Sequence, residues 1–405
     1  MHIIFISATC ARADYEDICK KRKYPLLDSS QKFFEMFLSG MAQQPDVTVD
    51  CITLRPISRG TYPGFYIPQK TTRQDNICYH YVPVWNFPVL KTVMGMASIK
   101  ATLRMLLRRY AGSEVRIICD PLLLEGLLPT VRLGKRYGVM TAGFLTDMPD
   151  FANECDEHGL IKKWMYRSYD RSATRSMEKL DRHIVLTEAM ACVAGDKPWL
   201  LLDCIVDETM LEGLTPRTHS DGVPHVLYAG KLHREFGLDL LAQAIPLVKQ
   251  PCVFDIYGDG NYAQELARLA EQAGNVKLHG IVPLRQVLEA ELGAAVLINP
   301  RTAAGEFTKY SFPSKTAEYM LAGVPVVMFR LPGISQSYED YISFAEAETP
   351  EAFAQRIDEL LTLSTEEREK IGNTARTYVT ENKNNRIQAQ RVKVFLESQE
   401  MRGSQ

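Results

Sequence analysis

Between residues 306 and 320 the chain reads EFTKYSFPSKTAEYM, which crowds Glu306, Lys309, Tyr310, Ser314, Lys315 and Glu318 around the start of one short helix. Pro313 suits the first turn of that helix, where its missing N–H is harmless. The N–H groups of Ser314, Lys315 and Thr316 then point outward at the positive end of the helix dipole, and Lys315 adds a full charge. Glu318 stands four residues after Ser314 and three after Lys315, on the same face, where a carboxylate accepts hydrogen bonds from hydroxyls just beyond an anion. A sugar nucleotide presents those groups in that order: a diphosphate, then a ribose diol. The plainer reading is a helix turn with one Lys–Glu pair at helical spacing. Six polar groups converging after the strand-like VLINPR favour a ligand.

Other stretches offer weaker chemistry. YAGKLHREFGLDLLAQA (228–244) ends a strand in Gly230, carries Lys231, His233 and Arg234 in a loop, and starts a helix near Gly237. A glycine admits close backbone approach and the cations suit a phosphate, although such loops are mostly solvated. IYGDGN (256–261) is a tight turn at Gly258 without the third glycine of a dinucleotide fingerprint. In HGIVP (279–283) the backbone of Ile281 and Val282 either bonds the edge of a nucleobase or is only a loop. GFLTDMPDF (143–151) sets Thr146 and Asp147 at a further strand end, where the acid binds hydroxyls or caps a turn. Ser29 and Ser30 are candidate helix caps, followed by Gln31 and Lys32 facing a ligand or solvent. Lys100, Arg104 and Arg108 share one helical face, and Lys162 and Lys163 adjoin Trp164, Met165 and Tyr166. Both clusters suit anionic lipid head groups or are the wet faces of surface helices. The eight histidines do not pair at ligand spacing, and no G-x-S-x-G or H-E-x-x-H is present, so no metal or nucleophile array is expected.

The elements that must position these residues are short Val/Ile-rich runs alternating with amphipathic stretches, the pattern of parallel strands with crossover helices. Runs at 2–7, 47–53, 115–120, 139–146, 183–187 and 200–206 form a first series, and runs at 225–230, 253–258, 276–280, 295–299 and 325–329 a second. Between them lies LEGLTPRTHSDGVP, of linker composition. The expected architecture is α/β, two facing doubly wound (Rossmann-like) domains: residues 1–210, a linker at 211–224, a second domain at 225–380, and a C-terminal helix at 381–405 packing back on the first. Ligands of such sheets bind at the carboxyl ends of the strands, and between two facing domains the natural site is the cleft. The length of 405 residues fits two or three domains, and a net charge of −2 argues against a nucleic-acid partner. Nine scattered cysteines without a C-x-x-C pair read as reduced core residues of a cytoplasmic protein. No apolar run reaches the ~18 residues of a membrane span, and MHIIFISA reads as a first strand rather than a signal peptide.

From YAGKL through YGDG, LHGIVP and INPR to PSKTAEYMLAGVPVV, the second half resembles the nucleotide-sugar domain of glycosyltransferase family 4, whose fold is GT-B. EFTKYSFPSKTAEYM is most similar to bacterial members that build capsular and exopolysaccharides, and TDMP, VLTEAMA and CIVDETM support that subgroup. The resemblance implies a retaining, metal-independent transfer of a sugar from a nucleotide diphosphate sugar, with UDP favoured, to an acceptor hydroxyl of a carbohydrate or lipid-linked acceptor. It places Glu318 on the ribose, the backbone around Ser314 and Lys315 on the diphosphate, Lys231 on phosphate where the family commonly has an arginine, and Gly258, Ile281 and Val282 beside the base; Gly230, Arg234, Tyr310 and Thr316 complete the candidate donor-binding set. Three positions depart from the pattern. The family's first motif glutamate falls on Tyr310, a loop lysine falls on Phe236, and Thr146-Asp147 stands in place of a His-Asp pair. Glu306 is the candidate replacement carboxylate, and Lys231, Lys315, Glu306 and Asp147 are the candidate catalytic groups. The alternatives are a silent glycosyltransferase-like partner that binds donor or lipid, and a sugar-nucleotide epimerase of the same fold. The cytoplasm, with peripheral contact at the inner face of the membrane, is the expected location.

Overall fold

The computed structural model describes residues 1–22, 29–148 and 171–398 and divides the chain into two units. Residues 1–205 and 385–405 form the first unit, and Val206–Asn384 the second.

Unit 1 is built on an 8-stranded sheet in the order β10-β9-β8-β7-β1-β2-β5-β4. Its strands are β1 (His2–Ser7), β2 (Thr48–Thr53), β4 (Lys70–Gln74), β5 (Ile77–Tyr81), β7 (Val115–Cys119), β8 (Met140–Leu145), β9 (Arg182–Val185) and β10 (Trp199–Leu201). All pairs are parallel except β4–β5. The central strand shows why: Ile3, Ile4, Phe5 and Ile6 are all buried, which only a sheet covered on both faces permits. The covers include α2 (Ser29–Ala42), α3 (Pro88–Arg109) and α4 (Leu124–Tyr137), while α1 (Arg12–Lys21) buries only Ile18. A two-stranded ribbon of β3 (Tyr66–Ile67) and β6 (Val84–Trp85) lies outside this sheet and has no counterpart in the sequence reading.

Unit 2 carries a 6-stranded sheet in the order β13-β12-β11-β14-β15-β16, parallel throughout. These are β11 (His225–Ala229), β12 (Val253–Tyr257), β13 (Val276–Gly280), β14 (Val296–Asn299), β15 (Val326–Met328) and β16 (Ser343–Phe344). The order reverses direction at β11–β14, the place where a doubly wound sheet opens a ligand crevice. Its helices are α5 (Leu238–Ala244), α6 (Ala263–Ala273), α7 (Leu284–Gly293), α8 (Ser314–Ala322), α9 (Pro350–Thr362) and α10 (Thr365–Asn382). Local signals fix their ends. Ser364 and Glu367 form a reciprocal capping box that starts α10. Gly323, at φ +73°, closes α8 in the left-handed region and turns the chain into β15.

The last helix, α11 (Asn385–Glu397), belongs to unit 1 and packs on α2. There Gln388 Nε2 donates to the Cys204 carbonyl at 2.7 Å, and Arg116 and Arg182 donate to the carbonyls of Leu396 and Phe395 at its C-terminal end. Cations at that end also oppose the helix dipole.

Two expectations need correction. The run at 200–206 is strand only over Trp199–Leu201. The cysteines are not uniformly core: Cys192 is exposed, and Cys19 and Cys78 are half-buried. Among the described residues no helix is long and apolar enough to cross a membrane.

Candidate active site

Three consecutive strands of unit 2 end at a glycine or one residue before it, and their ends are tied together. Gly230 N–H donates to the Tyr257 carbonyl at 3.0 Å, and Gly258 N–H to the Gly280 carbonyl at 2.8 Å. Gly258 has φ +130°, and a Cβ there would lie 1.8 Å from the Gly230 carbonyl oxygen, so no other residue fits. A flat backbone floor results at the carboxyl end of the sheet, with the half-buried Val282 and the exposed Ile281 on its rim.

Helix α8 stands beside this floor because buried side chains hold it. Asn299, the last residue of β14, donates from Nδ2 to Thr316 Oγ1 at 3.2 Å. Tyr319 Oη accepts from Ala229 N–H at 2.8 Å and reaches the Ala229 carbonyl at 3.2 Å, which fastens the helix to the end of β11. These contacts correct part of the sequence reading. Pro313 is the residue before the helix rather than in its first turn, and its carbonyl takes the N–H of Thr316 at 2.8 Å. Thr316 is fully buried. It is a positioning residue and does not meet an anion, so it leaves the donor-binding set. Ser314 is exposed and Lys315 half-buried at the free end of the helix.

Lys315 occupies the electrostatic centre. Its Nζ pairs with Glu318 one turn on and lies 3.1 Å from Glu291 Oε1, a fully buried carboxylate on α7. Burial alone would lower the ammonium's pKa, but Glu318 and then Glu291 hold it above its ordinary value. Glu291 was invisible in the sequence, where LEAELG reads as an ordinary amphipathic turn; its one signal is an acid among positions that α7 buries. Arg301, just after β14, was likewise missed: its buried guanidinium reaches Ser311 Oγ at 3.3 Å and lies over Phe307 and Phe236.

The remaining candidates fall as follows. Lys231 is exposed, and its carbonyl accepts from Tyr228 Oη at 2.9 Å. Arg234 is exposed and lies over the Tyr262 ring at 5.3 Å. Glu306 opens a short 3₁₀ turn, 78% exposed, with Lys309 3.9 Å away as its ion-pair partner. Tyr310 ends that turn, half-buried. Asp147 follows β8 in unit 1, exposed, and its Oδ1 accepts from the N–H of Met148 at 2.8 Å. Ser29 and Ser30 are the first residues of α2. Gln31 is buried and exchanges two 2.8 Å hydrogen bonds with the backbone of Cys10, so it ties α2 to the end of β1 and does not face a ligand. Lys162, Lys163, Trp164, Met165 and Tyr166 lie outside the described residues.

Strand pairing also unites histidines that sequence spacing kept apart. His225 and His279 bond the two oxygens of Asp255, the latter at 2.5 Å, and His219 stacks on His225. In unit 1, His80 Nε2 lies 2.7 Å from Asp50. His219, His225 and Asp255 in one case, and Asp50, Cys78 and His80 in the other, bring three metal-capable atoms within 4.8 Å of one another. In both, the carboxylate is already engaged by imidazole.

Residues 223–363 match the family model described as glycosyl transferases group 1. No curated protein sequence matches the chain significantly. Among solved structures, sucrose-phosphate synthase from Thermosynechococcus elongatus aligns with a TM-score of 0.65 at 13% identity, over 98% of each chain. A lipopolysaccharide outer core galactosyltransferase, WaaB, aligns at 0.62 and 12%, over 98% of this chain and 100% of that one. The Anabaena protein HepE in complex with UDP aligns at 0.60 and 14%, over 98% and 99%. At such identities the likeness shows the fold: two Rossmann-like α/β units of the GT-B type. The chain thus resembles glycosyltransferases in fold over both units and in sequence over residues 223–363. Its group 1 domain lies within unit 2, on the floor and helix just described.

Proposed function

We propose that the protein transfers a sugar, with retention and without a bound metal, from a nucleotide diphosphate sugar to the hydroxyl of a carbohydrate or lipid-linked acceptor. The observation that carries this reading is the start of α8, where Ser314 and Lys315 stand at the helix N-terminus and Glu318 adjoins them beside the glycine floor of Gly230 and Gly258. The helix N-terminus and Lys315 receive the diphosphate, with Lys231 and Arg234 reaching it from the neighbouring loop. Glu318 takes the ribose diol, and the backbone at Ile281 and Val282 the base. As the glycosidic bond breaks, negative charge grows on the leaving diphosphate, and preorganised cations and N–H groups stabilise that charge. The leaving phosphate accepts the acceptor's proton, so a protein base is not needed for retention. The acceptor is assigned to unit 1, with Asp147 among its hydroxyl partners. Two structural neighbours, one in complex with UDP and one a lipopolysaccharide outer core galactosyltransferase, support a UDP-sugar donor and a role in bacterial polysaccharide or glycolipid synthesis at the inner face of the membrane.

Tyr310 favours a second reading, a catalytically silent partner that binds donor or lipid, because it stands where the family resemblance expects a glutamate. Thermal unfolding with UDP, GDP, dTDP and ADP tests the site. A nucleotide at 100 times its dissociation constant adds about 2.7 kcal/mol, a rise of about 5–10 °C for a unit of this size. One nucleotide is expected to give that rise, and Lys315→Ala to remove most of it. No response to any nucleotide sinks the donor-site reading. Turnover with a purified acceptor then separates enzyme from silent partner.

A further inference from the structure

Unit 1 exposes an apolar cluster that neither its fold nor the proposed transfer uses. Of the eleven large apolar side chains exposed among the described residues, six stand between positions 65 and 93: Phe65, Tyr66, Phe87, Val89, Leu90 and Val93. Val89 is 70% exposed, Phe65 63% and Val93 58%. They form one patch by construction. Phe65 stacks on Phe87 with ring centroids 5.5 Å apart, β3 pairs Tyr66 with Trp85, and Phe87 immediately precedes α3, whose first turns carry the three aliphatics. A contiguous exposed apolar patch is uncommon on a soluble surface and marks a docking face.

The charge around it is one-sided. Residues 51–113 contain nine lysines and arginines and a single acid, Asp75, in a chain whose net charge is −2. Arg59 lies across both rings, 5.4 Å from Phe65 and 4.4 Å from Phe87. Along α3, Val89 and Val93 share a face with Lys100, Arg104 and Arg108, while Ile99, Leu103 and Leu106 are buried on another. Among the described residues none of Arg59, Lys100, Arg104 and Arg108 has a carboxylate within ion-pair distance. Aromatic and aliphatic tips bordered by unpaired cations suit the boundary between acyl chains and anionic head groups. A second copy of the chain suits it less, since a symmetric contact would bring two cationic rims together.

We infer that the β3–β6 ribbon and the outer face of α3 form a seat for an anionic lipid bilayer, with Phe65, Phe87, Val89 and Val93 entering the interface and Arg59, Lys100, Arg104 and Arg108 on the head groups. The seat rests on the transfer reading only for its purpose, which is to hold the protein where a lipid-linked acceptor is found. Flotation with vesicles of neutral phosphatidylcholine, with and without phosphatidylserine, tests it without donor or turnover. The wild type is expected to float with the anionic vesicles and to release as salt screens the charges. Val89→Asp/Val93→Asp should lower partitioning by about tenfold or more, and Arg104→Gln/Arg108→Gln by about fivefold per charge. Arg104→Lys/Arg108→Lys should restore it, and thermal unfolding of each variant confirms that it folds. No preference for anionic vesicles overturns the inference, as does wild-type partitioning by the aspartate variant. So does a concentration-dependent dimer, seen by light scattering, that the aspartates dissolve while vesicles bind nothing. None of these outcomes bears on the donor site, which the nucleotide titration tests separately.

Discussion

Lys315 keeps its charge in a half-buried place because two carboxylates reach it, and that arrangement assigns different work to the acids of unit 2. Glu291 is sealed and touches the lysine from α7, so its part is to hold the charge in position; Glu318, 8% exposed, is the acid proposed above for a ligand's hydroxyls. Glu306 sits in solvent on its 3₁₀ turn, with Lys309 3.9 Å away. If it stands in for the absent glutamate, Glu306→Gln lowers turnover by about a hundredfold and leaves the nucleotide-induced rise in unfolding temperature unchanged; equal turnover in steady-state assays removes it from the mechanism. A different residue governs acid stability. His183 on β9 is fully buried, and burial followed by Lys197 pushes its pKa from 6.5 down to about 4. Below pH 6.5 the unfolded chain binds a proton that the folded protein refuses, so stability falls across the window from 6.5 to 4 and then levels. The loss amounts to about 3 kcal/mol. Denaturant unfolding at pH 7 and 4.5 should show a smaller difference for His183→Leu by about that amount.

At the scale of elements, most strands were legible because both faces of each sheet are covered, which leaves runs such as HIIFIS and VFDIY almost wholly apolar, whereas the edge strands β4 and β16 and the alternating β5 (ICYHY) were not read. The start of α8 was legible for a similar reason: PSKTAE combines a proline, a helix and clustered charge within one turn. What escaped was set by contacts between elements far apart in sequence. Thr316 has the same composition signal as Ser314, and only the side chain of Asn299 and the carbonyl of Pro313 decide that it faces inward. Glu291 and the Asp255 histidines meet their partners through strand order, which no local spacing reveals. The β3–β6 ribbon pairs only two residues on each strand, too few for a period to show. Helix contacts make a prediction of the same kind. Gly40 on α2 lies so close to α11 that a Cβ would come within 2.1 Å of the Asn385 carbonyl oxygen. Gly40→Ala gains helix propensity and still should destabilise unit 1 by about 1–3 kcal/mol, because the two backbones must part. Gly60→Ala, with nothing within 4 Å, is the control and should stay close to wild type in calorimetry.

For the whole molecule, the chain leaves unit 1 after Ile205 and returns to it at Asn385, so unit 1 is closed by residues from both ends of the sequence. Ala389, Val392, Phe395 and Leu396 of α11 are buried in it. Removal of residues 385–405 is therefore expected to lower the unfolding temperature of unit 1 or to cause aggregation, while the nucleotide response assigned to unit 2 persists. Loss of both together would show that the units unfold as one. The same connectivity sets a schedule during synthesis. The ribosome makes roughly 180 residues of unit 2 after the last strand of unit 1 and before α11 appears. At about 5–20 residues per second, roughly 10–40 s pass between the last strand of unit 1 and the helix that covers the apolar face of α2. A nascent unit 1 is thus a client for chaperones over that interval, whereas unit 2 holds its whole sequence as soon as it has been translated.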